Sequence, residues 1–137
     1  MDEVDRSRPP PVKPAANGTP LRRALLVCAD MTTQQVCRAA LESAGFTVDR
    51  EDSGMGAVMS ARAAQPQLIV VDQQLRDVTG GEAIGWLRSN PELATAPIIM
   101  LTTSAADDET AVGAHGSALR KPLSQSALRR AIRGALA

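Results

Sequence analysis

Aromatic side chains are nearly missing from this chain, which has one Trp, one Phe and no Tyr. Its interior must therefore be aliphatic, drawn from a hydrophobic set that makes up 44% of the 137 residues. Net charge is missing too: fifteen basic residues balance fifteen acidic ones. No global field draws the protein to nucleic acid or anionic lipid, and neither a basic domain nor an appended helical reader is visible. Nucleic-acid partners are excluded on that ground. No apolar run approaches the roughly 18 residues of a membrane span, and Met1 to Pro20 lacks the apolar stretch of a secretory signal. The two cysteines, Cys28 and Cys37, are too few for a disulfide framework. They read as free buried thiols in a reducing, cytoplasmic setting.

What is present falls into two parts. Residues 1–20 carry Pro9, Pro10, Pro11, Pro14 and Pro20 and little apolar beyond Val4 and Val12. Such a segment cannot bury enough surface to offset its ordering entropy, so a disordered proline-rich tail is expected there. Residues 21–137 have the length of one domain. Within it, buried strands are expected at Ala24–Ala29, Phe46–Arg50, Leu68–Val71, Pro97–Leu101 and Ser117–Arg120. Helices are expected between them. One runs over Thr32–Ala44 and stops at Gly45, and another follows Ser53, carrying Ala57, Val58 and Ala61. A third spans Gly81–Ser89, and a weak one spans Ala105–Val112. The last is capped by Ser124, with Leu128, Ile132 and Leu136 inward. Continuous rather than alternating apolar strands, interleaved with helices, predict an α/β fold. Its sheet is doubly wound, five-stranded and parallel, with helices on both faces.

The polar residues that end these strands carry the chemistry. Leu25–Ala29 runs into Asp30, Leu68–Val71 into Asp72, Ile98–Leu101 into Thr102, and Ala118–Arg120 into Lys121-Pro122. Ligands of open parallel sheets bind outside the carboxyl ends of the strands. Two carboxylates brought together there favour a hard cation such as Mg2+. An ammonium and a hydroxyl suit a phosphoryl group, and a carboxylate in that setting can attack phosphorus. The blander readings are a strand terminator for Asp72, a helix cap for Asp30 and a plain turn for Lys121-Pro122. His115 reads as a surface residue. Arg129, Arg130 and Arg133 read as a solvated face able to meet an acidic partner.

From about Arg23 to its end, the chain resembles the receiver domain of bacterial two-component response regulators. The resemblance rests on Leu68-Ile69-Val70-Val71-Asp72 with Gly80 eight residues on, on Ile98-Ile99-Met100-Leu101-Thr102, and on Lys121-Pro122. It implies a flavodoxin-like fold of receiver type and a non-enzymatic phosphorelay role. In that role Asp72 is the phospho-acceptor, with Thr102 the switch hydroxyl and Lys121 the charge partner. Asp30, Asp72 and the Gln74 carbonyl would hold Mg2+. The implied partners are a histidine kinase or phosphotransfer protein and a downstream protein target, with homodimerisation left open.

Departures from the family pattern are concentrated at the site. Ala29 stands where one of two acids is usual, which weakens Mg2+ binding. Leu75-Arg76 replaces Met-Pro, Thr103 replaces a small residue, and Ala118 replaces an aromatic. The span from Thr102 to Lys121 is about one helical turn short. These departures support an alternative, a degenerate receiver acting as a phosphorylation-independent adaptor. A small aspartyl-nucleophile phosphatase is a third reading, but Gln74 stands where its leaving-group acid should be.

Overall fold

A computed structural model of the chain describes residues 22–103 and 116–136. Five strands form one parallel sheet: β1 Arg22–Val27, β2 Phe46–Glu51, β3 Leu68–Asp72, β4 Ile98–Thr102 and β5 Gly116–Arg120. Their order across the sheet is β2-β1-β3-β4-β5. The four helices among the described residues are α1 Met31–Ser43, α2 Gly54–Ala64, α3 Gly80–Arg88 and α4 Gln125–Leu136. A short 3-10 turn covers Pro91–Leu93. The tail over residues 1–20, the helix expected at Ala105–Val112, His115 and most of the shortened span before Lys121 lie outside the described residues.

The sheet is apolar on both sides because helices cover both. Leu26, Val70, Ile99 and Leu101 pack with Cys37, Ala40 and Leu41 of α1 and with Leu128 and Ile132 of α4. Leu25, Val27, Ile69, Val71, Ile98 and Met100 pack with Ala57 and Ala61 of α2 and with Ala83, Ile84 and Leu87 of α3. All five residues of β3 and all five of β4 are buried, which is why these two strands read as unbroken apolar runs. Truncating one core side chain such as Ile132 to Ala would cost about 2–5 kcal/mol.

Local signals set the helix ends. Asp30 caps α1, Ser53 caps α2 and Thr79 caps α3, each accepting a backbone N–H three residues on. Gly45, at φ 93°, takes the left-handed turn that ends α1 and returns the chain to β2. Ser124 accepts the amide of Ala127 at 3.1 Å at the start of α4. One inward assignment fails: Leu136 is 38% exposed. The inward stripe of α4 runs through Leu128, Ala131, Ile132 and Ala135, and Leu136 lies past its Ile132 edge, about 90° from its centre.

Parallel pairing brings the strand ends level. Val27 pairs with Val71, Asp72 with Leu101, and Thr102 with Arg120. Cys28 follows Val27 as Asp72 follows Val71, so the thiol rather than Asp30 stands at the level of Asp72.

Candidate functional site

Asp72 is the last residue of β3, and its side chain is buried with the Lys121 ammonium beside it. Lys121 Nζ lies 2.8 Å from Asp72 Oδ1, with the lysine side chain 24% exposed and the aspartate 4%. The lysine is held there by its own backbone, whose N–H donates to the Thr102 carbonyl at 2.7 Å. The same Oδ1 accepts the Gln73 amide at 2.8 Å. Gly80 sits under this arrangement, donating its N–H to the Gln73 carbonyl at 2.8 Å. A Cβ at Gly80 would run into the Asp72 carbonyl oxygen, which is why the chain carries glycine eight residues after the aspartate.

The other carboxylate oxygen meets a thiol. Cys28 Sγ approaches Asp72 Oδ2 at 3.6 Å and the Asp30 carbonyl at 3.2 Å. Burial, with the Asp72 charge adding to it, pushes the Cys28 thiol up to about 11, so it stays protonated and neutral at physiological pH. Cys37 is pushed up to about 12, again chiefly by burial. Both thiols are free and buried, as their sequence positions suggest.

Asp30 is exposed and turned to a different task. Its Oδ2 accepts from the Thr33 hydroxyl at 2.6 Å and the Thr33 amide at 3.0 Å. These two donors hold its carboxyl below the ordinary value, with a further contribution from the Lys121 charge. Gln74 pairs with Thr79 in an isolated antiparallel bridge. Of the expected Mg2+ ligands, Asp30 and Asp72 supply carboxylates and Gln74 its backbone carbonyl. Among the described residues no three His, Cys, Asp or Glu side chains come together to hold a metal. At Asp72 one oxygen meets an ammonium and the other a protonated thiol. Mg2+ needs only one or two carboxylates and keeps several waters, so Asp72 and Asp30, with the Gln74 carbonyl, are the residues that would hold it.

Thr102 is fully buried, and its hydroxyl donates to Gln73 Oε1 at 2.9 Å. The amide of Thr103 reaches the same oxygen at 2.8 Å. Of the residues singled out from sequence, Asp72, Thr102 and Lys121 gather at one sheet edge, and Asp30, which caps α1, lies close enough to feel the Lys121 charge. Cys28 and Gln73 were missed. The one available signal was position, since each directly follows a strand-end residue.

A model of the response regulator receiver domain matches residues 25–133. The polar-differentiation response regulator DivK of Brucella ovis is 38% identical over 68 residues, half of this chain and 55% of that protein. The chain thus spans about half the length of the curated relatives it matches. The chemotaxis response regulator CheY4 of Vibrio cholerae superposes with a TM-score of 0.76 at 28% identity, over 85% of this chain and 99% of that one. The receiver domain of the sensor histidine kinase PA1611 of Pseudomonas aeruginosa has a TM-score of 0.75 at 28% identity, over 84% and 97%. That structure is described with a magnesium ion coordinated in its active site cleft.

Proposed function

The chain belongs to the response regulator receiver domain family, and from that premise we propose that it is a signalling module working by protein–protein contact without phosphorylation of Asp72. The observation that carries this reading is the pairing at Asp72. The Cys28 thiol faces Asp72 Oδ2 at 3.6 Å and Ala29 stands where the family pattern has an acid, so this edge offers a cation one carboxylate fewer than is usual in the family. Phosphoryl transfer builds negative charge that active sites offset with metal ions and ammonium groups together.

In this role the protein turns over no substrate, and its partners are proteins. On one side stands a histidine kinase or phosphotransfer protein, on the other a downstream target. Its surface suits such contacts: Met31, Met55 and Met59 are 63%, 58% and 66% exposed, and Arg129, Arg130 and Arg133 line the outer side of α4. No helix among the described residues is long and apolar enough to cross a membrane.

A second reading is that Asp72 accepts a phosphoryl group, as the family resemblance implies. It is favoured by the Lys121–Asp72 pair and by the burial of Thr102 beside it. Incubation of the full chain with a small phosphodonor and Mg2+, followed by intact mass, separates the two. The expected result is no adduct. One phosphoryl group on the wild type, absent from Asp72→Asn, would replace the first reading with the second.

A further inference from the structure

The loop from Gln73 to Thr79, between Asp72 and α3, is fastened at two points to the turn that starts α2. The Arg76 N–H donates to the Asp52 carbonyl at 3.1 Å, and the Arg76 guanidinium meets the Asp52 carboxylate at 3.3 Å. The Asp77 carboxylate accepts the Gly54 amide on Oδ1 at 2.7 Å and the Met55 amide on Oδ2 at 3.1 Å. The loop lies so close on this turn that a Cβ at Gly54 would run into Val78 Cγ2.

A helix start leaves its first amides without intrahelical partners, and a carboxylate is favoured there. The first turn of α2 has no acid of its own, and Ser53 accepts the Gly56 amide at 3.0 Å. Asp77 supplies the missing carboxylate from another loop, so the helix start holds the loop just as the loop completes the helix. Within the loop, the Leu75 N–H donates to the Val78 carbonyl at 3.1 Å and Gln74 bridges to Thr79. Gln74 therefore moves with the segment that Arg76 and Asp77 anchor. Arg76 stands where the family pattern has proline. A proline would fix φ and stiffen the chain, but it has no N–H to donate. Arg76 has that N–H and spends it on Asp52.

We propose that Arg76 and Asp77 together hold this loop in place of the proline, and so set where the Gln74 carbonyl stands. Both are positioning residues. Neither is among the groups that would hold Mg2+, and each acts through the main chain that joins it to Gln74. The inference goes beyond the proposed function, since it concerns how the cation edge is built, whether or not Asp72 is phosphorylated.

The test is a Mg2+ titration of the full chain, followed through the amide resonances of the loop. Asp77→Ala should weaken Mg2+ binding about tenfold, the low end for residues that orient a metal ligand. Arg76→Pro, added to Asp77→Ala, should bring the affinity back toward wild type, because the ring restores stiffness to the loop. Stability in urea should stay below wild type in that double variant, because the Gly54 and Met55 amides remain uncapped. Ser53→Ala weakens the same helix end without touching the loop, and should leave Mg2+ affinity unchanged. Equal affinity in wild type and Asp77→Ala overturns the inference. So does a double variant as weak as Asp77→Ala, a Ser53→Ala variant that loses as much, or a wild type that binds no Mg2+. Phosphorylation of the wild type would remove the proposed function and leave these affinities to decide the inference separately.

Discussion

Replacing Lys121 by Met isolates the charge pair at the centre of the site. Removing one partner of a buried pair costs about 3–5 kcal/mol, because the remaining charge loses its compensation. Two features reduce that figure here. The lysine side chain is 24% exposed against 4% for the aspartate, so water already screens one end of the pair. Asp72 Oδ1 also keeps the Gln73 amide at 2.8 Å. The expected loss is about 2 kcal/mol. Asp72→Asn leaves an ammonium that can turn to water, with an expected loss of about 1 kcal/mol. If the two act through one interaction, the double variant should be more stable than their sum predicts by about 1 kcal/mol or more. Urea unfolding at neutral pH measures this, provided the slope against denaturant stays constant. A Lys121→Met variant within about 0.5 kcal/mol of wild type, the range of ordinary surface changes, would refute the reasoning, as would strict additivity.

Two further outcomes are expected. Gly80→Ala should lose about 1–3 kcal/mol and move the Asp72 amide resonance, since the added methyl meets the Asp72 carbonyl; a wild-type midpoint in urea would contradict this. Asp77 clamps the start of α2 by accepting from the Gly54 amide at 2.7 Å and the Met55 amide at 3.1 Å, bonds that hold its carboxyl below the ordinary 3.8. A depressed folded value means the contribution is complete above 3.8 and is lost as pH falls through that lower value. Asp77→Asn should therefore be less stable than wild type at neutral pH. The gap should narrow as the pH is lowered through that window; a gap independent of pH would count against the clamp.

The parts of the fold that were legible in the sequence are those where burial alone decides. Leu68–Asp72 and Ile98–Thr102 lie between helices on both sides, so their apolar runs admit few other readings. Gly45 and Ser53 mark helix boundaries through backbone chemistry that needs no tertiary partner. Asp72 and Lys121 were legible as a pair because each closes a strand whose register brings the ends together. Asp30 was legible as a cap, since an aspartate three residues before Thr33 meets the requirements of one, and capping through Oδ2 does not preclude metal ligation. Cys28 resembled an ordinary core residue, because its level relative to Asp72 depends on where the β1 ladder stops. Gln73 had no local signature: its oxygen matters only because β4 lies beside β3.

The ladder between β1 and β3 ends at Val27 and Val71, one step short of the thiol. Residue 29, exposed and standing where the family pattern has an acid, is thus a graft point, where a carboxylate could be installed with the strand pairing untouched. Changing that one atom group would ask whether ion capture can be written onto this scaffold as a separate layer, detachable from the architecture that displays it.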